Sequence, residues 1–135
     1  MQIQPYLFFD GRCEEAIAFY KETLGAQVQM LLHYKDAPDQ SMVKPETKDK
    51  VMHASLRIGE TDVNASDGHC TGQPDFKGFG LALTAATDAD SKRIFTALGA
   101  GGEVRMPMEK TFFASSFGMV SDRFGVLWMV MTRTD

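Results

Sequence analysis

Apolar and polar positions along the chain change period several times, and each change marks an element. Ile3 to Phe9 is apolar and aromatic, as a strand requires, and Asp10-Gly11 ends it. From Arg12 the period becomes helical. Ala16, Ile17, Tyr20 and Leu24 fall on one face, Glu14, Glu15, Lys21 and Glu22 on the others, and Gly25 is placed to stop the helix. A β-type segment follows from Gln27 to Tyr34. The polar stretch Asp36 to Lys50, with two prolines, reads as a mobile loop. Val51 to Ile58 and Asp62 to Asp67 then read as strands around a Gly59-Glu60 turn.

Beyond a glycine-containing segment at 69–78, the plan starts again. Phe79 to Ala86 reads as a strand, and Thr87-Asp88 supplies an N-cap. Ile94, Phe95 and Leu98 form a helical stripe that Gly99 ends. Glu103 to Met108, Phe113 to Ser121 and Val126 to Thr132 are strand candidates, the last two joined by Asp122-Arg-Phe-Gly125. The two helices even end alike, Tyr20-Lys-Glu-Thr-Leu-Gly-Ala26 against Phe95-Thr-Ala-Leu-Gly-Ala100. The order β-α-β-β-β therefore occurs twice, which predicts an α+β fold. We expect a single domain of two tandem βαβββ modules, at about 1–68 and 79–135, with 69–78 as linker.

Composition narrows the picture only slightly. With 135 residues, 44% hydrophobic and 24% charged, the chain has the balance of a globular protein that needs no staples. Its net charge of −4 and the lack of a run of Lys or Arg argue against nucleic acid. No apolar stretch approaches the ~20 residues of a membrane span, and Met1 to Phe9 lacks a basic leader. Cys13 and Cys70 have neither disulfide-type nor metal-type spacing. A cytoplasmic location with reduced thiols is the expectation.

Pro5-Tyr6-Leu7-x-Phe9-x-Gly11-x-Cys13-x-x-Ala16-x-x-Phe19-Tyr20, Met52-His53-Ala54 and Ser66-Asp67 resemble the motifs of one family. So does the closing run Thr111-Phe112-Phe113-Ala114-x-x-Phe117-Gly118-x-x-x-Asp122-x-Phe124-Gly125-x-x-Trp128-Met129. On these residues, nearly the full length resembles the PhnB-like branch of the vicinal-oxygen-chelate superfamily, which includes glyoxalases, bleomycin-resistance proteins and dioxygenases. The resemblance implies curved mixed sheets around a cleft, and a homodimer. The family often has Trp where Phe113 stands, and some relatives have His where Ser115 stands, so the ligand here is expected to differ.

Metalloenzymes of that superfamily take ligands from four strands. Alignment on the first strand places Pro5, a residue near Asn64, one near Gly80, and Met129 at those positions. Only Asn64 offers an oxygen, and a thioether is too soft for the hard ions involved, so no metal and no cofactor is expected. Asp67, His69 and Cys70 share one loop without a fourth donor, which suits a solvated turn better than zinc. His33 reads as an ordinary strand histidine.

Without a metal, chemistry needs an acid or base. His53 is the first candidate because its ordinary pKa lies near neutrality, and Asp67 is the group to orient it. Ser66-Asp67-Gly68 equally suits a plain turn, and that reading takes precedence. Asp122 to Gly125 reads as a hairpin turn, with Asp122 holding main-chain amides and Gly125 at positive φ. Neither Ser115 nor Ser116 lies in a nucleophile elbow, and Gly99-Ala-Gly-Gly102 follows a helix rather than opening one. Candidate ligand contacts are Tyr6, Asn64, Phe113, Ser115, Phe117, Trp128 and Met129, with Phe112 and Met131 beside them. Two functions compete: metal-independent binding of a small molecule, and an enzyme of lyase, isomerase or oxygenase type using His53 and Asp67. A structural paralogue is a third.

Overall fold

A computed structural model describes residues 1–68, 70 and 73–134, with only the main chain at Met42. The elements follow in the order β1 (Tyr6–Phe8), α1 (Cys13–Leu24), β2 (Gln27–His33), β3 (Val51–Ile58), β4 (Thr61–Ser66), β5 (Leu81–Thr84), α2 (Asp88–Gly99), β6 (Glu103–Glu109), β7 (Ala114–Ser121) and β8 (Leu127–Arg133). The chain forms two compact units, Met1–Pro74 and Asp75–Asp135. Each is a βαβββ unit with a four-stranded mixed sheet, ordered β1-β4-β3-β2 in the first and β5-β8-β7-β6 in the second. The α+β expectation and the repeat are therefore found as read from the sequence. The loop expected over 36–50 is entered through a short 3₁₀ turn, Tyr34–Asp36, and contains a second, Gln40–Met42. No helix among the described residues is long and apolar enough to cross a membrane.

In the first unit, α1 lies over one face of its sheet. Ile17 and Ala18 share a groove of about 530 Å³ with Val28 and Leu31 of β2, which fixes the side on which those strand residues stand. Val28 pairs with Leu56 and Leu31 with Ala54; these pair in turn with Val63 and Ala65, and Ala65 with Leu7. Cross-strand partners share a face, so these seven residues define the helix-covered side. The five on β1, β3 and β4 are buried. The intervening residues, Tyr6, Phe8, Ser55, Asn64 and Ser66, stand on the other side because successive strand residues alternate. His53, next to Ala54 and opposite Leu32, alternates onto that second side too, and the β2–β3 register shifts only beyond it, between Leu32 and His33.

The second unit repeats this. A Cβ on Gly118 would lie 2.7 Å from the Phe95 ring of α2, so β7 can carry only glycine where the helix crosses it closely. Gly118 pairs with Val130, which is fully buried, and this defines the side under α2. Met119, Met129, Phe117 and Met131 alternate onto the other side.

Helix ends are built differently in the two units. Thr87 caps α2 locally, its hydroxyl accepting from the Asp90 N–H at 3.1 Å. Arg12, at the equivalent position of α1, offers no side-chain cap, while Gly25 closes the other end at φ 66°.

Candidate functional site

On the helix-free face of the first sheet, the row Tyr6, Asn64, Ser55, Met30 runs across all four strands. The Tyr6 hydroxyl lies 2.9 Å from His53 Nδ1, and the two rings tilt against each other at 5.6 Å. Phe8 stacks on Tyr6 at 4.9 Å. Three rings thus form a shelf with a polar end. Around it, the Asn64 amide donates to Gln4 Oε1 at 2.9 Å, Arg57 donates to Asp62 Oδ1 at 3.1 Å, and Ser55 Oγ donates to Gln29 Oε1 at 3.3 Å. A phenol bound to Nδ1 fixes the imidazole's orientation and leaves its Nε2 edge for a ligand. Tyr6 and Asn64, named from the sequence as ligand contacts, therefore share this face with His53, named there as the candidate base.

Asp67 is not part of it. It is 1% exposed, its Oδ1 accepts the N–H groups of Gly11 and Cys13 at 2.8 Å each, and its Oδ2 accepts that of Val51 at 2.8 Å. It is the cap that α1 lacks locally, delivered from the far end of β4. Its oxygens are occupied by main-chain donors and His53 is paired with Tyr6, so the structure does not join these two residues. Burial pushes the neighbouring Cys13 thiol far up, with the Asp67 and Glu14 charges adding to the effect. Cys70 is also raised, chiefly by desolvation. His69 lies outside the described residues. Among those described, no three His, Cys, Asp or Glu side chains converge on a common point.

The register moves two of the positions considered for metal. Tyr6, not Pro5, stands beside Asn64 on the helix-free side, and Ala82, not Gly80, stands beside Met129. A phenol and an amide in one sheet, and a methyl and a thioether in the other, do not make a hard-ion site.

Candidates of the second unit separate as well. Phe112, Phe113 and Phe117 form an edge-to-face ladder with centroids 5.1 and 5.3 Å apart, and Phe112 is 96% exposed. Met129 is on the helix-free side. Trp128 is on the opposite side, 4% exposed, with its indole N–H donating to Asp122 Oδ2 at 2.9 Å. Asp122 Oδ1 also accepts from Phe124 and Val126, and Gly125 has φ 94°, the turn expected there. Ser115 and Ser116 both donate to Asp88 Oδ1, at 2.6 and 2.7 Å, which ties them to the first turn of α2. Those bonds hold the Asp88 carboxyl below its ordinary value.

Sequence reasoning missed Phe8, Ser55, Arg57 and Met119 on these faces. Strict alternation from Tyr6 and His53 was the available signal for the first three positions, and cross-strand pairing with Met129 for the fourth.

A family model described as 3-demethylubiquinone-9 3-methyltransferase matches residues 1–131. Protein YjdN of Escherichia coli (strain K12) is 36% identical over 140 residues, covering 96% of this chain and 94% of that protein. The crystal structure of PA1353 from Pseudomonas aeruginosa is similar at 42% identity and TM-score 0.87, covering 100% and 99% of the two chains. At the level of fold alone, a glyoxalase/bleomycin resistance protein/dioxygenase family enzyme from Burkholderia phytofirmans matches at 13% identity and TM-score 0.62, over 98% and 96%.

Proposed function

The chain belongs to the family described as 3-demethylubiquinone-9 3-methyltransferase, in the PhnB-like branch of the glyoxalase/bleomycin-resistance fold, and from that premise we propose metal-independent binding of a small organic molecule. The site is the helix-free face of the first sheet, with Phe8 and Tyr6 as an aromatic shelf and His53 and Asn64 as polar contacts. The observation that carries the reading is the Tyr6–His53 hydrogen bond. It holds an imidazole in one orientation beside apolar rings, the combination by which small-molecule sites gain both area and specificity. In the second unit, Phe113 and Phe117 are the candidates for apolar contact. Assembly as a homodimer in the cytoplasm is part of the proposal and rests on the family resemblance.

The methyl transfer in the family description does not fit these residues. S-adenosylmethionine would need a glycine-rich turn opening a helix beneath it. Here the first N–H of α1, that of Cys13, is taken by Asp67, and α2 is capped by Thr87. Gly102, in the glycine cluster after α2, packs against main chain, since a Cβ there would meet Ser121 O at 2.0 Å.

An enzyme acting on a small organic substrate is the second reading, favoured by the same Tyr6–His53 pair. His53 would then exchange the proton, and Asp67 would serve only to hold the main chain around α1.

A thermal-shift screen against small aromatic carboxylates, phenols and phosphonates tests the proposal. Expected is a planar ligand whose affinity falls at least tenfold, about 1.4 kcal/mol, in His53→Ala, and also falls in Phe8→Ala. A ligand bound equally well by the parent and by both variants would overturn the site. Turnover of that ligand, abolished in His53→Ala, would establish the second reading.

A further inference from the structure

The thioether of Met129 is too soft for the ions that a hard-donor site takes, and that softness acquires a meaning from its neighbours. Met129 on β8 pairs with Met119 on β7, and Met119 pairs with Met106 on β6. Cross-strand partners share a face and stand with Cβ atoms ~4.5–5.5 Å apart. Three methionines on three consecutive strands therefore occupy one row on the side away from α2. Ala82 of β5 completes the row beside Met129, and its small side chain leaves that end uncrowded.

The geometry points to this row as a binding site for a soft monovalent cation, Cu(I) or Ag(I), held by the sulfurs of Met106, Met119 and Met129. Thioether and thiolate donors select such ions over hard ones. Each methionine has three rotatable bonds, so three sulfurs rooted one strand apart can converge on one ion. Phe117 and Met131 fill the middle of the next row along the same face, between Glu109 of β6 and Thr84 of β5, and give the two inner methionines an apolar flank. Met106 is 45% exposed, while Met119 and Met129 are half-buried, so an ion can reach the row from one end.

The repeat shows that this is not a demand of the fold. The corresponding row of the first sheet is Tyr6, Asn64, Ser55, Met30, with a single thioether. Packing of a βαβββ unit thus tolerates a phenol, an amide and a hydroxyl at these places, and three adjacent thioethers in the second sheet are a property of this chain. Charges near the row are not in it: Arg105 donates to Ser121 Oγ, and Glu109, paired with Phe117, stands on the same face one row along.

The test uses the full chain in a Cys70→Ser background, because that partly exposed thiol would compete for the ion; Cys13 is fully buried. Methionine ε-methyl groups are labelled with carbon-13, and silver nitrate is titrated in chloride-free buffer. The methyl signals of Met106, Met119 and Met129 should shift together and saturate at one equivalent. Met119→Leu, which conserves volume, should weaken binding at least tenfold, and the triple Leu variant at least a hundredfold. Should the triple variant not fold, Met106→Leu at the exposed end carries the test, with the same tenfold expectation. Binding retained within threefold in these folded variants, or shifts spread over all nine methionines without saturation, would overturn the proposal.

Discussion

Replacing Asp67 by Asn tests whether this residue is architecture or chemistry. The carboxylate sits 1% exposed and receives three N–H groups at 2.8 Å, from Gly11, Cys13 and Val51. Hydrogen bonds to a charged acceptor contribute ~1.5–3 kcal/mol each, and a buried donor left without its partner costs ~1–3 kcal/mol. Asn can keep its oxygen toward Gly11 and Cys13, but its NH₂ then faces the Val51 N–H, donor against donor. The expected loss is therefore about 3 kcal/mol, one bond gone and one buried donor stranded. Asp67→Ala removes all three bonds and should approach the ~3–5 kcal/mol of a broken buried charge network. At ~2–4 °C per kcal/mol for a chain near this size, Asp67→Asn should melt about 10 °C below the parent. Differential scanning calorimetry and urea unfolding read this directly. A melting temperature within about 2 °C of the parent, together with loss of ligand binding, would refute the structural assignment and return Asp67 to the site.

Other side chains lead to outcomes of the same kind. With Ellman's reagent at pH 8, only the partly exposed Cys70 should react in the folded protein, and fully buried Cys13 only after denaturation. Asp88 has a depressed pKa, so its contribution to stability is present above its ordinary value of 3.8 and is lost as pH falls through the lower folded value. The difference in melting temperature between the parent and Asp88→Asn should accordingly be visible at pH 6 and shrink as the pH falls below 3.8. Gly102→Ala drives a Cβ to 2.0 Å from the Ser121 carbonyl oxygen and 2.9 Å from the Asp122 carbonyl carbon. Main chain cannot yield as a flexible side chain can, so this variant should lose at least about 3 kcal/mol in urea unfolding.

Much of the architecture was legible because period and punctuation are local properties. Gly25 ends α1, Thr87 caps α2, and Asp122 with Gly125 turns the chain as their types dictate. What failed to show was whatever depends on parity or on distance along the chain. A strand read one residue out exchanges its faces, which is how Pro5 stood in for Tyr6; Gly80 lies two residues before Ala82, a displacement along the strand that keeps the face. Trp128 carries the family's most recognisable motif, yet the same parity sets it under α2, opposite Met129. The role of Asp67 is hidden for the other reason, since its partners Gly11 and Cys13 lie more than fifty positions earlier. Nothing near Ser66-Asp67-Gly68 announces that an uncapped helix awaits it. The methionine row likewise exists only once β6, β7 and β8 are paired.

The unequal helix ends have a consequence for how the chain acquires its structure. α2 carries its own start signal in Thr87, so a short peptide spanning Thr87 to Ala100 contains what its first turn needs. α1 must wait: the acceptor for its first amide arrives just after the end of β4, 54 residues after Cys13. Closing so long a loop precedes the benefit of its contacts. Two halves of one repeated plan therefore differ in autonomy. The later half can nucleate from its helix, whereas the earlier one can complete its helix only after its sheet.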